Sequence, residues 1–264
     1  MKRSILILIG LLLAATAGAQ QRSSSGGIPR LANGKPNLSG VWQAATAANW
    51  NVLTHAASAG PPEYGALLAT PPGYGIVDGD AIPYLPAAAT QQQRNYENRF
   101  KEDPELKCFL PGVPRANYMP YPLQIFHSNE GLLIAYQFAG AARIVNLGPP
   151  QPSAIDSWMG VSNARWDGDT LVVEVSGFNG MAWLDRGGNH AGSALKVVER
   201  YTPVGSDAID YSATLEDPKT FSRPWTIRFR LMRNPNPEQH LMEFKCVPFT
   251  EQLLYGEFYK KARE

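Results

Sequence analysis

From Leu123 onward, short runs of alternating apolar and polar residues dominate the chain. The cleanest is Trp225–Arg233, where Trp225, Ile227, Phe229 and Leu231 oppose Thr226, Arg228, Arg230 and Met232. A period of two predicts a half-buried strand. Residues 163–166 run into Asp167-Gly168, and residues 169–177 run out, with Leu171, Val173 and Val175 against Val172, Glu174 and Ser176. Asp-Gly favours a tight hairpin because both residues tolerate positive φ. Strands are also predicted at 123–128, 132–138, 142–147, 194–203, 208–216 and 241–247, the last of the series. Asn129-Glu130-Gly131 and Gly205-Ser206-Asp207 supply turns between neighbours. Pairing each strand with the next and closing the meander removes exposed edges. The pattern therefore predicts a mainly β fold, an antiparallel barrel of about eight to ten strands.

Before Leu123 the pattern changes. Residues 38–42, Leu-Ser-Gly-Val-Trp, read as the opening strand. Residues 43–86 lack periodicity and carry Pro61-Pro62 and Pro71-Pro72, which predicts an irregular excursion around the barrel or over one mouth. Residues 87–107 alone have a convincing helical composition, limited by Pro104. A short helix is expected within 250–261. Lys2-Arg3, the apolar residues 5–15 and Ala17-Gly18-Ala19 form an export signal. Cleavage after Ala19 leaves a flexible lead-in, 20–37, and one barrel domain, 38–264. The apolar run is short for a membrane span. The expected location is periplasmic or secreted, without stable membrane insertion.

Composition narrows the chemistry. The formal net charge is +1 and no basic run appears, so nucleic acid is not an expected partner. Gly 24 and Pro 22 agree with many turns. Two cysteines in an exported chain suggest a Cys108–Cys246 disulfide, with two buried thiols as the alternative. No metal-ligand spacing, Gly-x-Ser-x-Gly or phosphate-binding loop occurs, and no cofactor is expected.

Candidate chemistry gathers around the loop 178–193. Asp185, Arg186 and His190 lie together there, and a His beside a carboxylate can act as general base. Their alternative is a solvated loop with Asp185 paired or capping a turn. Glu199 shares a strand face with Leu195 and Val197, so alternation aims it inward, and Arg143 can partner it. That pair is either a site or a structural ion pair, the further alternative being Glu199 outside with Val198 turned in. His127 and Tyr136 lie on apolar strand faces and serve as core or as cavity wall. Arg165 flanks the hairpin turn, and Trp158, Trp183 and Trp225 are candidates to line a mouth. Trp and Arg suit aromatic or anionic ligands. Glu199, Asp185 and His190 are thus the candidate catalytic residues. Arg143, Tyr136, His127, Trp158, Arg165, Trp183 and Trp225 are the candidate ligand contacts.

Gly40-Val41-Trp42 at the start of a β protein resembles the first-strand motif of lipocalins, in which the Trp packs across the barrel floor. Longer stretches resemble a family of exported bacterial proteins without an established activity. They include Cys108-Phe109-Leu110-Pro111-Gly112-Val113-Pro114-Arg115, Arg165-Trp166-Asp167-Gly168-Asp169-Thr170, Trp183-Leu184-Asp185-Arg186 and Val197-Val198-Glu199-Arg200-Tyr201. The resemblance implies an exported, lipocalin-like barrel. Ala191, Ser193 and Lys196 stand where that family carries His, Asp and His, Gln137 where it often carries Glu, and Gly180 where it often carries Asp. The expected function is binding of a small apolar or aromatic molecule. A cofactor-free lyase, isomerase or hydrolase is the alternative, and a structural barrel without a cavity the third reading.

Overall fold

The computed structural model describes residues 27–62, 68–128 and 130–255. The expected export signal, Asn129 of the first expected hairpin loop and the tail beyond 255 lie outside the described residues. Nine strands close into one barrel in chain order. They are β1 (Gly40–Ala44), β2 (Leu123–His127), β3 (Gly131–Tyr136), β4 (Ala142–Asn146), β5 (Val161–Asp167), β6 (Thr170–Ser176), β7 (Lys196–Val204), β8 (Ala208–Glu216) and β9 (Trp225–Arg233). Two helices flank them, α1 (Pro86–Glu102) and α2 (Thr250–Tyr255). The barrel and the strand periods are as expected, and two details are corrected.

First, β4 and β5 pair parallel, through Val145↔Ser162 and Asn146↔Asn163. Residues 147–160 carry the chain back along the barrel, the crossover that a parallel pair requires. Second, residues 241–247 form no ladder. β9 already pairs with β1, Trp42 opposite Arg233, so no free edge remains for a tenth strand. That segment is held instead by the Cys108–Cys246 disulfide, with Cα atoms 5.6 Å apart, and no free cysteine remains.

The register sorts the connections by end. The short β2–β3, β5–β6 and β7–β8 connections occupy one end. At Gly168 the backbone adopts φ +58°, the left-handed conformation a tight hairpin needs. Trp42 closes that end of the core. Its indole donates to Leu38 O (2.9 Å), and the Arg233 guanidinium lies 4.1 Å over its ring. The other end receives 45–122, 137–141, 177–195 and 217–224. The long connections other than the crossover 147–160 therefore converge on one mouth.

α1 begins at Pro86, whose missing N–H costs nothing in a first turn. It stops at Glu102, short of the expected 107, because Asp103 turns inward to an ion pair and Pro104 follows. Along β7 the burial alternates, with Val197, Glu199, Tyr201 and Pro203 inside.

Candidate functional site

The barrel interior holds a polar network centred on Glu199, which is 0 % exposed. Its Oε1 accepts from Asn117 Nδ2 (2.8 Å), Arg143 Nη2 (3.0 Å), Tyr201 OH (2.9 Å) and Tyr211 OH (2.8 Å). Its Oε2 accepts from Arg143 Nη1 (2.7 Å). Tyr136 donates to Asn117 Oδ1 (2.9 Å) and completes the ring of partners. Burial works against the Arg143 charge, but Glu199, Tyr136 and Tyr201 hold its proton affinity well above the ordinary value. Burial pushes the Tyr136 hydroxyl up to about 12. Glu199, Arg143 and Tyr136 are thus brought together as alternation required. They bond one another directly or through Asn117, with only Arg143 Nε left without a partner, so the carboxylate is held in an ion pair rather than offered to a cavity.

Asn117 enters this core from a short 3-10 turn, Arg115–Asn117, which plugs the mouth from above. On the same turn Arg115 heads a second buried cluster. It donates to Asp103 (3.1 Å), Glu105 (2.6 Å) and Asn49 (2.9 Å). Arg186 completes the cluster with two 2.8 Å bonds to the Glu105 carboxylate. Burial raises the Glu105 carboxyl, yet the Arg186 and Arg115 charges prevail and bring it down to about 2. Two guanidiniums and two carboxylates cancel here, in a plug that ties the excursion to the loop 178–193.

Asp185 was expected at the rim and lies fully buried instead. Its Oδ2 accepts from Val52 N (2.8 Å) and Asn189 Nδ2 (2.7 Å), and its Oδ1 from Asn189 N (3.1 Å). It fastens its own loop to the excursion. Burial nonetheless pushes its carboxyl up to about 6, against those bonds and the Arg115 charge. Gly188, at φ +82°, lets that loop lean on α1, since a Cβ would lie 2.6 Å from Tyr96 N. His190 makes no bond to Asp185. Its ring stacks on Tyr84 with centroids 5.5 Å apart, and burial lowers its proton affinity. The expected carboxylate–imidazole pair does not form.

The remaining candidates scatter. Trp225, expected at a mouth, is a core residue 4 % exposed, packed edge-on against Phe221. Arg165 lies on the outer barrel wall and pairs with Glu174 across the hairpin. His127 accepts a bond from Leu38 N (3.0 Å) at the opposite, hairpin end. Trp158 stacks on Phe109 at 4.9 Å and, with Trp183, borders a shallow groove beside Gln91, Asn95 and Asn98 of α1.

The other side of α1 borders a cavity of about 190 Å³. Trp50, Leu68, Tyr96, Phe100 and Leu106 form its apolar walls, and His55, Arg99, Asp103 and Arg186 its polar ones. Tyr96, Arg99 and Phe100 stand at i, i+3 and i+4 on one face of α1, and Asp103 follows at its C-cap. The Arg99 guanidinium lies 4.0 Å from the Tyr96 ring and 4.2 Å from the Phe100 ring, and Arg186 lies 4.4 Å from that of Trp50. His55 Nδ1 sits 2.8 Å from Leu53 O, which assigns the proton to that nitrogen. Sequence reasoning missed this cavity because Trp50 and His55 belong to the aperiodic excursion. The usable signal was the aromatic and Arg stripe on α1.

Comparison of the chain with models of protein families, with curated proteins and with solved structures found no match. Among the described residues no cluster of three or more His, Cys, Asp or Glu side chains could hold a metal ion. No helix among them is long and apolar enough to cross a membrane.

Proposed function

We propose that the protein is an exported binder of a small aromatic compound, held at the loop-bearing mouth rather than inside the barrel. One observation carries this reading: an aromatic-walled cavity of about 190 Å³ lies above an interior filled by its own polar network. Apolar walls with a few placed polar groups are the usual composition of ligand pockets. A dry cavity of about 150 Å³ accepts benzene, so the volume suits one substituted ring. Export is supported by the signal at the chain's start and by the disulfide, which persists in oxidising compartments. The motif resemblance to exported bacterial proteins fits the same placement. The alternative enzyme draws no support from Glu199, Asp185 and His190, which lie in separate environments, the two carboxylates already hydrogen-bonded.

Thermal-shift and fluorescence titrations with single-ring compounds test this reading. A ligand that binds only the native state raises Tm with concentration, and one seated against Trp50 also changes its emission. Both responses are expected to weaken in Trp50→Ala. If no single-ring compound at millimolar concentration moves Tm, the cleft is not a binding site for such molecules.

A further inference from the structure

We infer that the compound bound in this cleft is an aromatic acid: one ring carrying one carboxylate, with Arg99 receiving the charge. The inference rests on the cleft being a binding site, as proposed above, and adds the ligand's chemical class.

A charge census around the cavity leads there. Asp103 is held by Arg115, and its Oδ1 also accepts the Glu105 backbone N–H (2.9 Å). Glu105 is held by Arg115, Arg186 and Asn49. The charges of Arg115 and Arg186 are thus balanced by those of Asp103 and Glu105, and the nearby Asp185 carboxylate is held by the Val52 and Asn189 N–H groups and the Asn189 amide without a guanidinium in contact. Arg99 is left over. Its Nη1 donates to the Tyr96 carbonyl at 2.7 Å, and among the described residues no carboxylate lies within ion-pair distance of it. A guanidinium has five N–H donors in a planar fork suited to a carboxylate, and one hydrogen bond to a neutral carbonyl neither uses them all nor balances the charge.

Position strengthens the case. Arg99 is half-buried and lies against Tyr96 and Phe100, both on the cavity wall. Such stacking orients the fork without neutralising it. An aromatic acid fits both features of the cavity: the ring lies among Trp50, Leu68, Phe100 and Leu106, and the carboxylate meets Arg99. A dianion would leave one charge without a partner, since Arg186 already faces Glu105 on two nitrogens. A cation would meet Arg99 directly and be repelled.

The experiment is isothermal titration of the full chain at neutral pH with benzoate, its neutral isostere benzamide, and toluene, at low and at high salt. Benzoate is expected to bind at least about tenfold more tightly than benzamide, since a hydrogen bond to a charged group corresponds to roughly ten- to a hundredfold in affinity. Raising the salt should narrow that gap. Arg99→Gln should abolish the preference while leaving ring binding, and Arg99→Lys should restore part of it. The salt and isostere comparisons use the unaltered protein, so they stand even if a variant folds poorly. Equal binding of benzoate and benzamide overturns the assignment of an acid and leaves the aromatic cleft standing. Failure of all three probes to bind overturns both readings.

Discussion

Five donors converge on the Glu199 carboxylate, four of them on Oε1, so the group is committed to its own network rather than to a substrate. Its role is to let a charge remain inside a barrel, and that role has a measurable size. Removing one partner of a buried ion pair leaves the other uncompensated, at about 3–5 kcal/mol. Glu199→Gln should therefore lower stability by about that much in urea unfolding, with cleft binding per folded molecule unchanged. A loss under about 1 kcal/mol would show that the pair does not hold the core. Asp185 makes a second residue-scale prediction, with the opposite sign from most carboxylates. Its folded pKa of about 6 lies above the ordinary 3.8. Between those values the native state holds a proton that the unfolded chain has released, so stability falls as pH rises through the window, by up to about 3 kcal/mol. Glu105 acts the other way. Depressed from 4.5 to about 2, it contributes stability that is present above pH 4.5 and lost as the pH falls toward 2. The two together place the stability maximum at about pH 4 to 5. Urea midpoints measured from pH 3 to 7 check this, and a steady rise from pH 4 to 7 would contradict it.

At the level of elements, what the sequence made legible follows from what each strand buries. β7, β8 and β9 bury one face only, so their alternation survives in the sequence and their positions were readable. Residues 241–247 show a similar alternation and form no strand, because ladder partners are a property of the closed barrel and cannot be read from one segment. The parallel β4–β5 pair was hidden for the same reason: nothing local in residues 147–160 says that they run back along the barrel. The disulfide was readable from the cysteine count, but its consequence depends on this correction. The chain-entropy model assigns a loop of this length about 4–5 kcal/mol if the whole fold depends on it. Here the far partner lies on a segment held otherwise by Phe244 against Tyr121 and Phe138 and by a few hydrogen bonds, such as Met242 N to the Gln137 side-chain Oε1 and Phe249 N to Leu106 O. Reduction should therefore free residues 234–249 locally while the barrel persists. Limited proteolysis in reductant is expected to cut within that segment, with the far-UV spectrum unchanged. Loss of the whole β signal on reduction would show that the disulfide holds the barrel itself.

For the molecule as a whole, the site was harder to read than the fold because it is assembled from segments far apart in sequence. The inward aim of Glu199 and its pairing with Arg143 followed from period-two alternation. The cleft did not follow, since Trp50, Leu68, Arg99 and Arg186 meet only after the excursion 45–122 has folded over the mouth. That excursion is bound at several levels. Asn117 reaches the core carboxylate, Tyr118 OH donates to Leu184 O (2.7 Å), and Val52 N donates to Asp185. Along the stretch of β9 that β1 does not reach, Arg228 N donates to Ile76 O (2.7 Å) and Asp78 N to Thr226 O (2.9 Å), an edge bridge of Val77 to Ile227. A cover fastened this way cannot lift without exposing buried charge, so cover and barrel should unfold as one unit. The Trp50 part of the emission, taken as the difference between the parent and Trp50→Phe because the chain has six tryptophans, reports on the cover and far-UV dichroism on the barrel, and the two should give coincident urea transitions. Asn117→Ala sharpens the test, because it removes a donor from Glu199 and an acceptor from Tyr136, at about 1–3 kcal/mol. If the two parts are coupled, the variant shifts both transitions together. If the cover is a separate unit, emission changes at lower urea than dichroism, and Asn117→Ala widens the gap.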